Sequence, residues 1–232
     1  MSREGYFRAK RLVDIVFSVA ILVTLAPVLA IVALAVRLTS PGPVLYRARR
    51  VGQYGKLFAM LKFRTMVTNA DKIGPLVTAG DDPRITKIGQ ILRKTKLDEI
   101  PQFWNVLCGD MSVVGPRPNV PELIENYRGD ERIILQVPQG ITDFSSLWFR
   151  MQEGLLEGTG DVMADYETKV APIKIRLGCF YAQNGSLRTD MELFWATFAA
   201  VFFKSDPMWA FPPAAIMQTL EVAENEELQV VA

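Results

Sequence analysis

The sequence predicts a mainly helical α+β fold that is attached to a membrane by a long N-terminal helix. An uncharged run extends from Ile15 to Val36, two short apolar runs flank a turn at 52–55, and later stretches place apolar residues at helical spacing. The chain therefore divides into a membrane segment at 1–40, a main domain at 41–204 and a C-terminal tail at 205–232.

Composition narrows the functions that the chain can have. Of its 232 residues, 50% are hydrophobic and 22% are charged, which excludes a disordered chain. Lys and Arg number 26 against 25 Asp and Glu, so the net charge of +1 gives no general attraction for nucleic acid. Because histidine is absent from the sequence, imidazole bases and His-ligated metals are excluded. Carboxylates, Lys, Arg and Tyr must carry any chemistry.

The uncharged run from Ile15 to Val36 is long enough for a membrane helix. At about 1.5 Å per residue it measures roughly 33 Å, close to the ~30 Å hydrocarbon core of a bilayer. Cations flank it on both sides: Arg8, Lys10 and Arg11 before it, and Arg37, Arg47, Arg49 and Arg50 after it. Positive flanks favour the cytoplasmic side, so we expect both ends there. Pro27 should kink the helix, and these residues leave a re-entrant helix and a tilted single span equally open.

A second membrane-facing candidate lies near the C-terminus. Its helically spaced apolar stripe consists of Met191, Phe194, Trp195, Phe198, Ala199, Phe202 and Phe203. Trp and Phe on one face are typical of an amphipathic helix at the membrane interface, although a core helix of the main domain explains the stripe nearly as well.

The main domain is expected to begin with a β-hairpin. Apolar runs at 44–46 and 57–61 are separated by the turn Gly52-Gln53-Tyr54-Gly55. The cations of this region are Arg47, Arg49, Arg50, Lys56, Lys62 and Arg64. For most of them, the simpler interpretation is a solvated side chain on the surface of the sheet. Contact with anionic headgroups or a phosphorylated substrate is the alternative.

Two short helices should follow the hairpin. Asp82-Pro83 is expected to begin the first, which ends at 94–96. Its predicted buried stripe is Ile85, Ile88, Ile91 and Leu92. The second helix has Asp98 as its expected N-cap, apolar residues at 100, 103, 104 and 107, and an end at Gly109.

Asp98 and Glu99 place adjacent carboxylates at the start of the second helix. The helix dipole and free amides stabilise an anion there, and an ionised carboxylate can bind a hard cation or attack phosphorus. Taken alone, the pair is better explained as ordinary helix capping.

The stiff turn Gly115-Pro116-Arg117-Pro118 restricts where one guanidinium can point. A fixed guanidinium suits a bidentate phosphate contact, although a rigid surface turn with a solvated arginine is an equal alternative. Arg93 adds another cation if the two short helices meet at an angle. An acid, a metal and a fixed arginine together supply what phosphoryl transfer needs.

Four motifs together resemble those of the monotopic phosphoglycosyl transferases, a family of bacterial sugar transferases. They are Lys62-Phe63-Arg64-Thr65-Met66, Leu97-Asp98-Glu99, the run 105–112 (Asn-Val-Leu-Cys-Gly-Asp-Met-Ser) and Gly115-Pro116-Arg117-Pro118, and the resemblance covers about residues 8–204. It implies a re-entrant membrane helix and a catalytic domain on the cytoplasmic face of the bacterial inner membrane. It also implies transfer of a phosphosugar from a UDP-sugar to a polyprenyl (undecaprenyl) phosphate, with release of UMP, at the start of glycoconjugate assembly.

The resemblance further implies roles for individual residues. Asp98 would be the covalent nucleophile, giving a phosphosugar-aspartyl intermediate, and Mg²⁺ would bind at the Asp98-Glu99 dyad. The substrate-binding candidates are Lys62, Arg64, Arg93 and Arg117. UDP-sugar, polyprenyl phosphate and membrane lipids are the expected partners, nucleic acid is not, and a homodimer is compatible with the sequence.

Three departures from the family pattern lie outside the dyad and the arginine turn. Ala26-Pro27 stands where Ser-Pro is common, residues 139–150 differ from the commonest form, and Gly178 stands where Asp is frequent. These changes bear on the helix kink and on sugar recognition more than on the reaction. Two alternatives therefore stay open, namely a catalytically silent membrane-tethered scaffold and a family member with altered donor specificity.

Overall fold

The computed structural model describes residues 2–74, 82–151, 162–203, 205 and 207–211. Helix α1 (Arg3–Thr39) is continuous and contains Pro27. It begins at Ser2, whose hydroxyl accepts a hydrogen bond from Gly5 N at 3.2 Å. Within the described residues it is the one helix with the length and composition to cross a membrane. The predicted long apolar N-terminal helix is thus confirmed, while its insertion in a membrane, its kink and its re-entrant path stay predictions.

Polar contacts tie the N-terminal half of α1 to the rest of the molecule. The Lys10 ammonium lies 2.9 Å from Asp190 Oδ2, and both side chains are buried. Arg11 donates to the carbonyl oxygens of Val106 and Leu107. Most of the large apolar side chains along α1 are exposed, among them Val16, Val23, Ile31, Leu34 and Leu38. The helix therefore presents an apolar surface on one side and a polar attachment on the other.

The predicted hairpin is confirmed. Strands β1 (Leu45–Val51) and β2 (Leu57–Phe63) pair antiparallel, with Leu45 opposite Phe63 and Val51 opposite Leu57. A 3₁₀ turn at Gln53–Gly55 joins them, and its last residue has φ 77, which a glycine adopts without strain. Ala48 and Met60 point from the two strands into the core.

Helix α2 (Lys87–Thr95) begins later than the sequence predicts. Its N-cap is Thr86, whose hydroxyl accepts a hydrogen bond from Gly89 N at 3.0 Å. Asp82 does not cap it, because its carboxylate instead accepts hydrogen bonds from the backbone and guanidinium of Arg84. This local pairing holds the preceding segment in a turn and delays the helix.

The predicted apolar stripe of α2 is also partly wrong. Leu92 is buried, but Ile91 is 58% exposed, and Ile85 lies before the helix in a β-bridge with Met66. The late start of the helix removes Ile85 from the stripe.

A 3₁₀ turn at Leu97–Glu99 follows α2 directly, and helix α3 (Gln102–Cys108) follows the turn. Asp98 is therefore inside the turn and is not the N-cap of a helix, so the predicted N-cap position is wrong. The predicted end at Gly109 is confirmed, and its φ of 85 is the left-handed conformation of a helix C-terminus. Trp104, predicted in the apolar stripe, is 57% exposed.

The remaining elements complete the core. Strand β3 (Ser112–Val114) pairs in parallel with β4 (Gly140–Thr142). The helices are α4 (Pro121–Glu125), α5 (Phe144–Met151), α6 (Val162–Asp165), α7 (Ala171–Asn184) and α8 (Leu187–Phe202), with 3₁₀ turns at Gly129–Gln136 and Pro207–Ala210 and a π-helical turn at Tyr166–Val170. Phe144, Leu147, Leu177 and Leu193 are among the most deeply buried side chains that join these elements. The described part of the chain is therefore mainly helical, as predicted, and it contains a parallel β3–β4 sheet that the sequence did not predict in addition to the predicted hairpin.

Helix α8 combines the two interpretations that the sequence left open. Leu193 and Ala196 are buried in the core, whereas Trp195 is 51% exposed and Phe198 is 37% exposed. One face of the helix thus serves the core, and the other face leaves aromatic side chains available to an interface.

Candidate active site

The Asp98-Glu99 dyad lies at a sharp bend between α2 and the 97–99 turn. Lys96 makes this bend with φ 59, and its N–H donates to the carbonyl oxygen of Arg93 at 3.2 Å. A left-handed lysine costs backbone energy, so the bend is held by the packing around it. The consequence is that the dyad faces the end of strand β2.

Glu99 joins two of the predicted cations. Its Oε1 accepts hydrogen bonds from Lys62 Nζ at 3.1 Å and from Arg117 Nη2 at 2.5 Å. Burial alone would raise the pKa of Glu99, but Arg117 and Lys62 outweigh it and hold that pKa well below its usual range. The structure therefore brings the hairpin, the dyad and the arginine turn together at one ionised carboxylate.

Asp98 has a different environment from its neighbour. Its side chain is buried, and its Oδ1 has no hydrogen-bond partner in the described part of the chain. Burial and then the charge of Glu99 raise the pKa of Asp98, while Lys62, Lys96 and Arg93 oppose that rise. An acid with a free, poorly solvated oxygen is well suited to bind or attack an incoming group.

The Arg117 guanidinium is held between two acceptors. Besides Glu99, it donates from Nη1 to the carbonyl oxygen of Ile141 at 2.7 Å. Burial opposes its charge, yet Glu99 keeps the pKa of Arg117 above its usual value. Close backbone contacts fix the arginine turn. A Cβ on Gly115 would collide with the carbonyl of Pro138, and a Cβ on Gly140 would collide with the backbone of Gly115. Backbone contact between β3 and β4 thus sets the direction of the guanidinium.

Arg93 lies within electrostatic reach of Asp98. Its Nε donates to Thr65 Oγ1 at 3.0 Å, and burial lowers its pKa. Gly89 allows α2 to lie directly against the backbone carbonyl of Thr65, where a Cβ would not fit. This close approach positions Arg93 beside the dyad.

Arg64 does not join the cluster around Glu99. Its guanidinium donates to the carbonyl and hydroxyl oxygens of Ser40, to the carbonyl of Val36 at 3.3 Å and to the carbonyl of Pro43. The last carbonyls of a helix lack intrahelical partners and attract a cation. Arg64 therefore caps the C-terminal end of α1, and a substrate contact by this residue stays a prediction.

Gln102 was not singled out by the sequence analysis. It is fully buried, and both polar atoms of its amide lack a hydrogen-bond partner among the described residues. Gln102 is the first residue of α3 and follows Asp98 by four positions, so it lies close to the dyad along the chain. A polar residue this close to the dyad was the available signal in the sequence.

The residues present are compatible with a magnesium ion at the dyad. Mg²⁺ is commonly held by one or two carboxylates together with substrate phosphates and water. Asp98 offers a free oxygen beside Glu99, and the described residues contain no group of three or more His, Cys, Asp or Glu that could form an all-protein cage. The donor set therefore suits an ion shared with a phosphorylated ligand.

Comparison with known proteins gives consistent matches. The family described as bacterial sugar transferase matches residues 5–204. The exopolysaccharide production protein ExoY of Sinorhizobium fredii is 34% identical over 208 residues, which are 83% of this chain and 85% of that protein. The UDP-glucose:undecaprenyl-phosphate glucose-1-phosphate transferase of Escherichia coli is 52% identical over 120 residues, 51% of this chain and 26% of that protein.

Some relatives are much longer than the matched region. The undecaprenyl-phosphate galactose phosphotransferase of Salmonella typhimurium is 37% identical over 213 residues, which are 85% of this chain but 41% of that protein. The family match at residues 5–204 nevertheless includes the dyad, the arginine turn and most of helix α1. The chain therefore belongs to the bacterial sugar transferase family.

Proposed function

We propose that this chain is a phosphoglycosyl transferase, which moves a phosphosugar from a UDP-sugar to undecaprenyl phosphate and releases UMP. The observation that carries the proposal is a buried acid with a free oxygen, Asp98, next to a carboxylate that orders two cations. The names of two relatives, which refer to UDP-glucose or galactose and undecaprenyl phosphate, support the same reaction class.

The first step uses the ionised carboxylate of Asp98. One of its oxygens bonds to the phosphorus that carries the sugar, and the bond from that phosphorus to the bridging oxygen of the diphosphate breaks. Lys62 and Arg117 are held by Glu99, and in this step their charges stabilise the negative charge that develops on the phosphoryl oxygens without reorganisation. The nucleoside monophosphate leaves with the electron pair.

The second step restores the carboxylate. A phosphate oxygen of the polyprenyl acceptor attacks the same phosphorus, and the bond to Asp98 breaks. Mg²⁺ bound by Asp98 and Glu99 would neutralise phosphate charge in the site. Arg93 lies on the same side as Asp98 and adds a further positive charge near the transferred group.

The same proposal accounts for the exposed apolar surface. Helix α1 enters the cytoplasmic side of the membrane and returns by a kink at Pro27, so that the catalytic domain stays on that face. The exposed aromatic side chains of α8 lie in the headgroup layer. An apolar acceptor and a charged donor meet only at such an interface, which is the physical reason for the anchor.

The test is a screen of several UDP-sugars for UMP release by the full chain with and without undecaprenyl phosphate, with chelator in a parallel series. We expect release with at least one donor and a covalent phosphosugar adduct at Asp98 when the acceptor is omitted. Asp98→Asn should form no adduct, because an amide is a poor nucleophile, whereas Asp110→Asn outside the dyad should still form it. Adduct formation by the Asp98→Asn variant would refute the assignment.

A membrane-tethered scaffold makes a different prediction. It gives no UMP release with any donor and no response to chelator. A family member with altered specificity keeps the Asp98 adduct but forms it only with uncommon donors, to which the departures at 139–150 would contribute.

A further inference from the structure

A second group of polar side chains meets around Asn119, which follows the arginine turn directly. The ammonium of Lys174, on α7, donates to Asn119 Oδ1 at 2.6 Å. The backbone carbonyl of Asn119 accepts a hydrogen bond from Val51 N at 3.0 Å, which brings the end of β1 and its residue Arg50 to the same place. Three separate parts of the chain therefore converge on one buried asparagine.

Asn119 is itself oriented. Its Nδ2 donates to the hydroxyl of Tyr127 at 2.7 Å, which leaves Oδ1 facing Lys174. Lys174 and Arg50 are each partly buried, so neither charge is fully solvated. Such an arrangement holds the ammonium in one position.

More cations than anions act on the ammonium of Lys174. The groups that act on Lys174 are Asp143, which raises its pKa, and Arg117, Arg50 and Lys62, which lower it. Together with burial, these cations lower the pKa of Lys174 to about 8. Burial also lowers the pKa of Arg50, and Arg117 contributes to that decrease, while Tyr46, Glu122 and Tyr166 oppose it. Partly buried cations that repel one another are costly unless an anion joins them.

We propose that Arg50 and Lys174 form a second anion subsite, which binds the phosphate of the departing nucleoside monophosphate. The inference rests on the proposed function. When an oxygen of Asp98 bonds to the sugar-bearing phosphorus, the bridging oxygen keeps the electron pair of the broken bond. The phosphate of the leaving group then gains one negative charge, and nearby cations stabilise that charge as it develops.

The position of the subsite favours the nucleotide over the lipid acceptor. The main packing partners of α1 are α2, α3, β3 and α8. The subsite is built instead from β1, α7 and the residue after the arginine turn. Arg117 donates to Glu99 of the dyad, and its charge also acts on Lys174 of the subsite. A water-soluble group can therefore occupy this side while the acceptor approaches from the membrane helix.

The experiment measures binding of UMP to the full chain in detergent by isothermal titration calorimetry. Arg50→Gln and Lys174→Gln should each weaken UMP binding about 10- to 100-fold, the effect of losing one charge-assisted contact. Lys174→Arg keeps the charge and should retain most of the affinity, which guards against a folding defect. Arg49→Gln is the matched control, because Arg49 is exposed on the opposite face of β1. Wild-type affinity in both Gln variants would overturn the proposal.

Half-reactions give a second readout. Lys174→Gln should slow adduct formation from UDP-sugar, but the isolated adduct should pass its phosphosugar to undecaprenyl phosphate at the wild-type rate when nucleotide is absent. Equal slowing of both half-reactions would contradict a subsite for the leaving group. If the wild-type chain forms no adduct at all, the proposed reaction fails, and the UMP titration still decides whether the anion subsite exists.

Discussion

Replacing Arg117 by lysine separates the effect of charge from the effect of shape. The guanidinium makes two hydrogen bonds in different directions, to Glu99 Oε1 at 2.5 Å and to the carbonyl oxygen of Ile141 at 2.7 Å. A lysine ammonium is a single point charge on a flexible stem and cannot hold both acceptors in the same geometry. Arg117→Lys should therefore keep the charge and lose one of the two contacts.

The magnitude follows from which contact is lost. Loss of the neutral carbonyl contact costs about 1 kcal/mol, and loss of the carboxylate contact costs about 1.5–3 kcal/mol. If the fixed guanidinium stabilises the transition state, these values correspond to a decrease of about 5- to 150-fold in kcat/KM. The assay is UMP release under steady-state conditions, with adduct formation followed separately.

The control is Arg47→Lys, at an exposed arginine of β1 outside the cluster, which should leave the rate unchanged. A rate for Arg117→Lys within about twofold of wild type would show that only the charge matters. The orientation of the guanidinium by the arginine turn would then have no part in catalysis.

Three further predictions concern other parts of the molecule. Glu99→Gln should shift the Mg²⁺ titration of activity to higher concentration, and an unchanged titration would remove Glu99 from the metal site. Lys10→Met leaves the carboxylate of Asp190 buried without its ammonium partner and should lower the free energy of unfolding by about 3–5 kcal/mol, measured by denaturation in detergent. Arg8→Met, at an exposed ion pair, should cost less than about 1 kcal/mol, and a similar loss in both variants would contradict the role of burial. UMP affinity should fall as pH rises from about 7 to 9, because the lowered pKa of Lys174 is about 8 and the ammonium loses its charge in that range. Lys174→Arg should abolish this pH dependence. If the affinity still falls in the arginine variant, another group is responsible.

Several features could be predicted because they depend on neighbours along the chain. The uncharged run, the hairpin turn and the glycine that ends α3 each follow from backbone preference and local spacing. The start of α2 could not be predicted in the same way. Asp82 and Thr86 are both good N-caps by residue type. Thr86 caps α2 because the carboxylate of Asp82 is already hydrogen-bonded to the guanidinium of Arg84.

The candidate site also has a part that could be predicted from the sequence and a part that could not. The sequence identified the dyad and the arginine turn, and the structure places Glu99 and Arg117 in direct contact. It also separates the two acids, since Glu99 takes the cations while one oxygen of Asp98 stays free. Adjacent residues of similar chemistry point in different directions on a 3₁₀ turn, and residue type alone does not show which one meets the cations.

By itself, the sequence determined that this protein has a long apolar N-terminal helix, a basic hairpin and an acidic pair beside a stiff arginine turn, because apolar runs and turn residues act locally. Tertiary structure alone decided that Arg64 caps the long N-terminal helix and that Lys174 and the end of β1 meet at Asn119. These contacts join residues far apart in the chain, and unpaired helix carbonyls or a buried amide become available partners only after the elements have packed together.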